Sequence, residues 1–197
     1  MSRLHAFVSE LAATGEPYRQ LFATTDSVAG LLLIAAGSLL LTRPALFTAS
    51  TAPRALLRVP LPRAAWIALI VSGLFTLLDV AVFPMDCAPS ANAACKAAEE
   101  AGTVSIIHQI HTVTSSVVGG ALLIAMAAST VIPPRARWTL VTLTGAALLA
   151  TLVLLPTGQW FGAAQRVQVA LVAVWLVVLA ATLVRRVSSA TIRTSNV

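Results

Sequence analysis

The chain has 197 residues, of which 58% are hydrophobic and only 10% charged, with a mean hydropathy of +0.89. A water-soluble domain of this length needs far more charge to cover its surface, so that class is excluded. The net charge of +6 comes from arginines in short segments between apolar runs, which argues against nucleic acid. Nor is there a Gly-rich phosphate loop, a zinc-finger spacing or a Ser/His/Asp local signature.

Residues 1–23 lack the continuous apolar core of a cleavable signal peptide. Leu4, Phe7, Val8 and Leu11 follow i, i+3, i+4, i+7, which predicts a short helix in the membrane interface ended by Gly15-Glu16-Pro17. A partly ordered tail is the competing reading. Five apolar stretches follow, near 24–42, 64–84, 104–131, 138–156 and 164–184, each near the roughly 20 residues a spanning helix needs. They stop at Arg43-Pro44, Pro84, Pro133-Pro134, Pro156-Thr157-Gly158 and Arg185-Arg186. Proline lacks an amide hydrogen and clashes with the preceding turn, so it marks helix ends. The expected fold is all-α: a single transmembrane bundle of about five spans over 24–184, with a tail at 185–197.

Orientation follows from the basic residues. Arg43, Arg54, Arg58, Arg63, Arg135, Arg137, Arg185, Arg186 and Arg193 fall on one side, against Arg3, Arg19, Lys96 and Arg166 on the other. The positive-inside rule puts the first set in the cytoplasm. The N-terminus is then extracytoplasmic and the C-terminus cytoplasmic, in the cell membrane. Glu10, Glu16, Asp86, Glu99 and Glu100 face outward, with Asp26 and Asp79 near the outer helix ends. Cys87 and Cys95 share one outer loop, where a disulfide persists, and a staple outweighs a redox role because no C-x-x-C motif is present.

An ionisable residue in a spanning helix costs on the order of 3 kcal/mol at the bilayer centre, so such residues face the bundle interior and mark function. In the third span Ser105, His108, Gln109, His111, Thr112, Ser115, Ser116 and Gly119 share an arc of roughly 160°, with Thr114 the polar exception on the apolar side. The second span offers Ser72, Thr76 and Asp79, and the first Asp26, Gly30 and Gly37. Gln159, Gln165, Arg166 and Gln168 sit at the mouth of the last. A shared outward-opening pocket lined by Asp26, Asp79, Asp86, Ser105, His108, His111, Gln165 and Arg166 accounts for their common depth.

Bland readings stand beside this one. Asp26 is placed to be an N-cap, Asp79 to pair with Arg166, and the small-residue stripes to pack helices or permit self-association. Two imidazoles at i, i+3, completed by Asp79 or Asp86, are a set that admits a zinc-like ion activating water for attack on a lipid. Haem is disfavoured, since both histidines lie on one helix. Three functions follow: binding a lipid or a partner protein, a membrane-embedded hydrolase or transferase using His108, His111 and Asp79, and a small transporter. The leading partners are membrane lipids, then a membrane protein or a second copy of the chain.

Several short motifs carry a family resemblance. Val8-Ser9-Glu10-Leu11-Ala12, Gly15-Glu16-Pro17 and Leu21-Phe22 are followed by Asp26 with Gly30, and then by Phe83-Pro84-Met85-Asp86-Cys87 with Cys95. With His108 and Gln165-Arg166, the pattern resembles a bacterial multi-pass membrane family known as domain of unknown function 998. The resemblance implies a fold and no chemistry. Members of that family look as though they carry a further span before the Ser-Glu-Leu loop, so an additional N-terminal helix missing from this chain is an expectation of the resemblance.

Overall fold

The structure, a computed structural model, describes residues 5–43, 61–131, 136–154 and 160–194. Leu4, Arg54, Arg58, Arg135, Gln159 and the proline stops at 133–134 and 156 lie outside the described residues. Six α-helices follow a 3-10 turn at Ser9–Ala12: α1 Arg19–Thr42, α2 Leu61–Ala81, α3 Ala93–Glu100, α4 Ile106–Ser129, α5 Arg137–Leu154 and α6 Phe161–Thr194. No strand occurs among the described residues. In hydrocarbon the backbone must satisfy its own hydrogen bonds, and long apolar runs do so as helices. Helices α1, α2, α4 and α6 are long and apolar enough to cross a membrane, while α5 is apolar but shorter over its described residues.

Several boundaries differ from the sequence reading. The first helix begins at Arg19, just after the turn at Gly15 (φ +89°) and Pro17, so Asp26 lies two turns inside α1 and is not its N-cap. The last helix continues past Arg185-Arg186 to Thr194, because arginine is a good helix former even where the apolar span ends. The loop between the second and third spans holds an unforeseen helix, α3. Asn92 caps it by accepting from Ala94 N (2.9 Å) and Cys95 N (3.2 Å). A left-handed Gly102 closes it, with Gly102 N bonded to Glu99 O and Thr103 N to Ala98 O, the paired bonds of a Schellman stop.

Helix α2 is central, packing on α1 along one side and α4 along the other, while α5 and α6 pair and join through α4. The α1–α2 seam is made by glycines. A Cβ on Gly30 would lie 2.9 Å from Gly73 O, one on Gly73 2.5 Å from Gly30 O, and one on Gly37 2.7 Å from Trp66 O. Gly30 and Gly37 are therefore used inside the chain for close backbone approach. At the end of the bundle away from the disulfide loop, Trp66, Leu69, Met126, Leu140, Ala147, Trp175 and Leu179 form the apolar core. There Trp175 Nε1 donates to Ser129 Oγ at 3.0 Å, and Ser129 in turn to Met126 O at 2.8 Å.

The seam yields a direct test. Gly73→Ala forces the α1 and α2 backbones apart and is expected to lower stability by about 1–3 kcal/mol. Gly145→Ala, whose Cβ meets nothing within 4 Å, should be neutral or stabilising by up to about 1 kcal/mol. Unfolding in detergent, followed by circular dichroism, compares the two.

Candidate functional site

Asp79, two residues before the end of α2, is buried and needs donors within the span. Helix α4 supplies them. Thr114 Oγ1 donates to Asp79 Oδ1, and Ser115 Oγ to Asp79 Oδ2 at 2.5 Å. His111 Nδ1 lies 3.1 Å from Asp79 Oδ1 and 2.8 Å from Phe83 O, and its Nε2 is 3.3 Å from Ser115 Oγ. One α2 carboxylate thus engages three α4 residues spaced i, i+3 and i+4, about one turn of the helix. Lower in the same seam Ser72 Oγ donates to Val118 O at 3.4 Å. Thr114, the polar exception on the helical wheel, is a principal partner of Asp79. The expected Asp79–Arg166 pair is replaced by these contacts.

A second group fastens the loop to the start of α4. Ser105 is the α4 N-cap, accepting from His108 N at 3.2 Å. Asp86 accepts from Ser105 N (2.9 Å) and Ser105 Oγ (2.8 Å), and its own amide donates to His108 Nδ1 at 3.2 Å. That bond puts the His108 proton on Nε2, which is buried without a hydrogen-bond partner and 3.9 Å from Glu99 Oε1. Cys87 and Cys95 are bridged, with Cα atoms 6.1 Å apart, and tie α3 over this point.

The N-terminal segment docks across the same end. Glu10, 2% exposed, accepts from Phe7 N (3.0 Å), Ser90 N (2.8 Å) and Ser90 Oγ (2.6 Å). Thr14 N donates to Met85 O at 2.9 Å, and Ala13, Met85 and Ala88 pack beneath. On α6, Gln165 Oε1 accepts from Val8 N at 2.5 Å, and Arg166 Nη1 donates to Ala6 O (2.9 Å) and Gly162 O (2.8 Å). Gly162 has to be glycine, because a Cβ there would overlap the Ala6 backbone. Glu10 is the residue that the sequence reading passed over, treating it only as one of several outward acids. Its place in the Ser-Glu-Leu motif was the available signal.

Between α4, the α5–α6 pair and this segment lies a cavity of about 520 Å³. Its loop end is lined by Glu10, Glu99, His111, Thr112, Ser115, Ser116, Gln165 and Gln168. Gly119, Gly120 and Leu123 line the deeper part along α4, and Ala150 and Thr151 contribute from α5. Adding a Cβ to Gly119 or Gly120 meets nothing within 4 Å, so these glycines leave room that no neighbour fills. Of the eight residues expected to line the pocket, His111 and Gln165 reach the cavity wall, together with Thr112, Ser115, Ser116 and Gly119 of the α4 polar arc and Gln168 of α6. Asp79 stands behind His111, Ser105 and Asp86 form a cap, and Arg166 is a fastener. Asp26, on α1, is near enough to Asp79 for the two carboxylates to interact electrostatically. His108 and His111 face different partners, and no group of three or more His, Cys, Asp or Glu side chains converges as a metal shell among the described residues.

The Asp86 cap is sensitive to pH. Desolvation opposes its charge, but the Ser105 amide and hydroxyl and nearby His108 outweigh this and hold the carboxyl below the usual aspartate range. A depressed folded-state value contributes stability above the unfolded value of about 3.9 and loses it as pH falls through the folded one. Asp86→Asn should therefore melt below wild type at neutral pH, with the gap closing under acid conditions below about pH 4. Melting temperatures of both proteins in detergent across that range check it.

No curated protein and no solved structure matches the chain. A family model described as "Protein of unknown function (DUF998)" matches residues 1–182. That span takes in the Ser-Glu-Leu segment, the disulfide loop, the Asp79–α4 cluster and the Gln165-Arg166 pair alike, and the chain belongs to this family.

Proposed function

We propose that this protein binds a membrane amphiphile in the cavity beside α4, polar head toward the disulfide loop and chain toward Leu123. The observation that carries the reading is the mixed lining: hydroxyls, amides and carboxylates gather at the loop end beside Phe7, Met85 and Pro89, and along α4 they give way to Gly119, Gly120 and Leu123. From His111 to Leu123 the helix rises roughly 18 Å, enough for a head group and part of an acyl chain. Pockets that orient a ligand with a few convergent polar groups on an otherwise apolar wall are the common form of small-molecule sites. Among the described residues no lysine or arginine lines this one, while Glu10 and Glu99 do, which suits a neutral or amine-bearing head better than a bare phosphate.

We place the loop end outside the cell membrane. The Cys87–Cys95 bridge supports that side, as oxidising compartments preserve disulfides, and so does the arginine excess toward the opposite end. A partner protein at the same face and a transport role ask for a docking surface or an alternating path, and neither has a specific feature in its favour. A metal-dependent hydrolase has less support than a binding site, given the separate partners of His108 and His111.

Filling the cavity tests the proposal. Gly119→Leu adds bulk into open space, so the variant should fold at least as stably as wild type yet bind a fluorescent single-chain amphiphile about 10-fold more weakly or worse. Gly145→Leu, on α5 outside the cavity, is the matched control. Equal binding by all three proteins would remove the cavity as the site.

A further inference from the structure

We infer that Ser115, His111 and Asp79 act as nucleophile, general base and positioning carboxylate that cleave a carboxylic ester of the amphiphile. This rests on the cavity reading above and adds a reaction to it. The tautomer of His111 decides which ring nitrogen can act as a base. Phe83 O is a carbonyl, which only accepts, and it lies 2.8 Å from His111 Nδ1, so that nitrogen carries the hydrogen. The Nε2 lone pair is then left facing Ser115 Oγ at 3.3 Å. Asp79 Oδ1 lies 3.1 Å from the same Nδ1, close enough for its charge to stabilise the imidazolium formed when Nε2 takes a proton, while the Nδ1 hydrogen itself is held by Phe83 O.

Access supports the same assignment. Ser115 and His111 both belong to the cavity wall, so nucleophile and base face one space, whereas Asp79 sits behind them. At rest the Ser115 hydroxyl donates to Asp79 Oδ2. Rotation about its Cβ–Oγ bond redirects the hydrogen to Nε2 without moving the oxygen. Thr114 continues to donate to Asp79 meanwhile, so the carboxylate is never left bare. A separation slightly long for a hydrogen bond is usual before substrate arrives. A seam serving packing alone would not require both the base and the hydroxyl to reach the cavity.

The chemistry balances with water as the only co-reactant. Ser115 Oγ attacks the ester carbonyl carbon while its proton passes to His111 Nε2. The tetrahedral adduct collapses, the C–O bond to the alcohol breaks, and the alcohol leaves with that proton. Water, deprotonated by the same Nε2, adds to the acyl-serine. The second collapse releases the carboxylic acid and restores the Ser115 hydroxyl. The Thr112 hydroxyl and the Gln168 amide lie in the same wall as donors for the developing oxyanion.

The test uses the full chain in detergent and a long-chain alkyl fluorophosphonate, whose phosphorus reacts with an activated serine and expels fluoride. Wild type is expected to be phosphonylated at Ser115, located by peptide mass spectrometry, with no label in Ser115→Ala or His111→Gln. Asp79→Asn should slow labelling at saturating probe by about 100-fold or more, while the half-saturating concentration stays near that of wild type. That split separates positioning from loss of fold, and the melting temperature of each variant is read alongside. Binding of a non-reactive amphiphile is measured on the same wild-type sample. If it binds and Ser115 stays unlabelled, the catalytic inference is overturned and the binding reading stands. If it neither binds nor labels, both fall together.

Discussion

The structure turns on one carboxylate that has to be satisfied inside a membrane span. Among the described residues Asp79 finds its donors on α4, through Thr114 and Ser115, with the His111 ring beside them. Hydrogen bonds to a charged group contribute about 1.5–3 kcal/mol each, and an orphaned one would cost more. Apolar side chains in lipid have little preference for one rotation of a helix over another. This set of directed bonds does, and it fixes both the height and the rotation of α4 against α2.

That rotation creates the cavity. Taken at about 100° per residue, the α4 face centred on His111, Thr114 and Val118 lies roughly 130° from the one centred on Thr112, Ser116 and Gly119. With the first face committed to α2, the second turns toward the gap before α5 and α6. Those two helices pair with each other and touch α4 chiefly at the far end, through the cluster around Met126, Leu140 and Trp175. Among the described residues nothing comparable closes the gap at the loop end. The N-terminal segment roofs it, held by Glu10 on Ser90, by Gln165 on Val8 and by Arg166 on Ala6. Disulfide, cap and roof are one assembly that gives the cavity a polar end.

Much of this was legible in the amino-acid sequence. Apolar runs located the helices, and rarity of polar groups in lipid singled out Asp79, His111 and Gln165. The single polar arc of the third span was legible too, but a helical wheel has no neighbours on it. It could not show that the arc serves two partners, nor that Thr114 at its margin bonds to Asp79. Long-range contacts of the N-terminal segment were equally hidden. Glu10 and Ser90 are 80 residues apart, and no periodicity links them. Ser105 and Arg166 looked like pocket groups because their chemistry suits one, whereas a helix cap and a backbone fastener use the same chemistry locally. Gly119 was read as part of the polar arc, but paired with Gly120 it was also a sign of open space, since two glycines in the middle of a span forgo packing that a larger residue would supply.

The central claim is that an amphiphile occupies the space beside α4 and is distinct from the lipid that surrounds any spanning helix. A photoactivatable lipid, crosslinked in intact membranes and mapped residue by residue on α4, tests it most directly. The account predicts labels on Thr112, Ser116, Gly119 and Leu123, the cavity face. Labels confined to Ile106, Val113 and Ile124, which are exposed on the outer face, would mark surrounding lipid alone and contradict it.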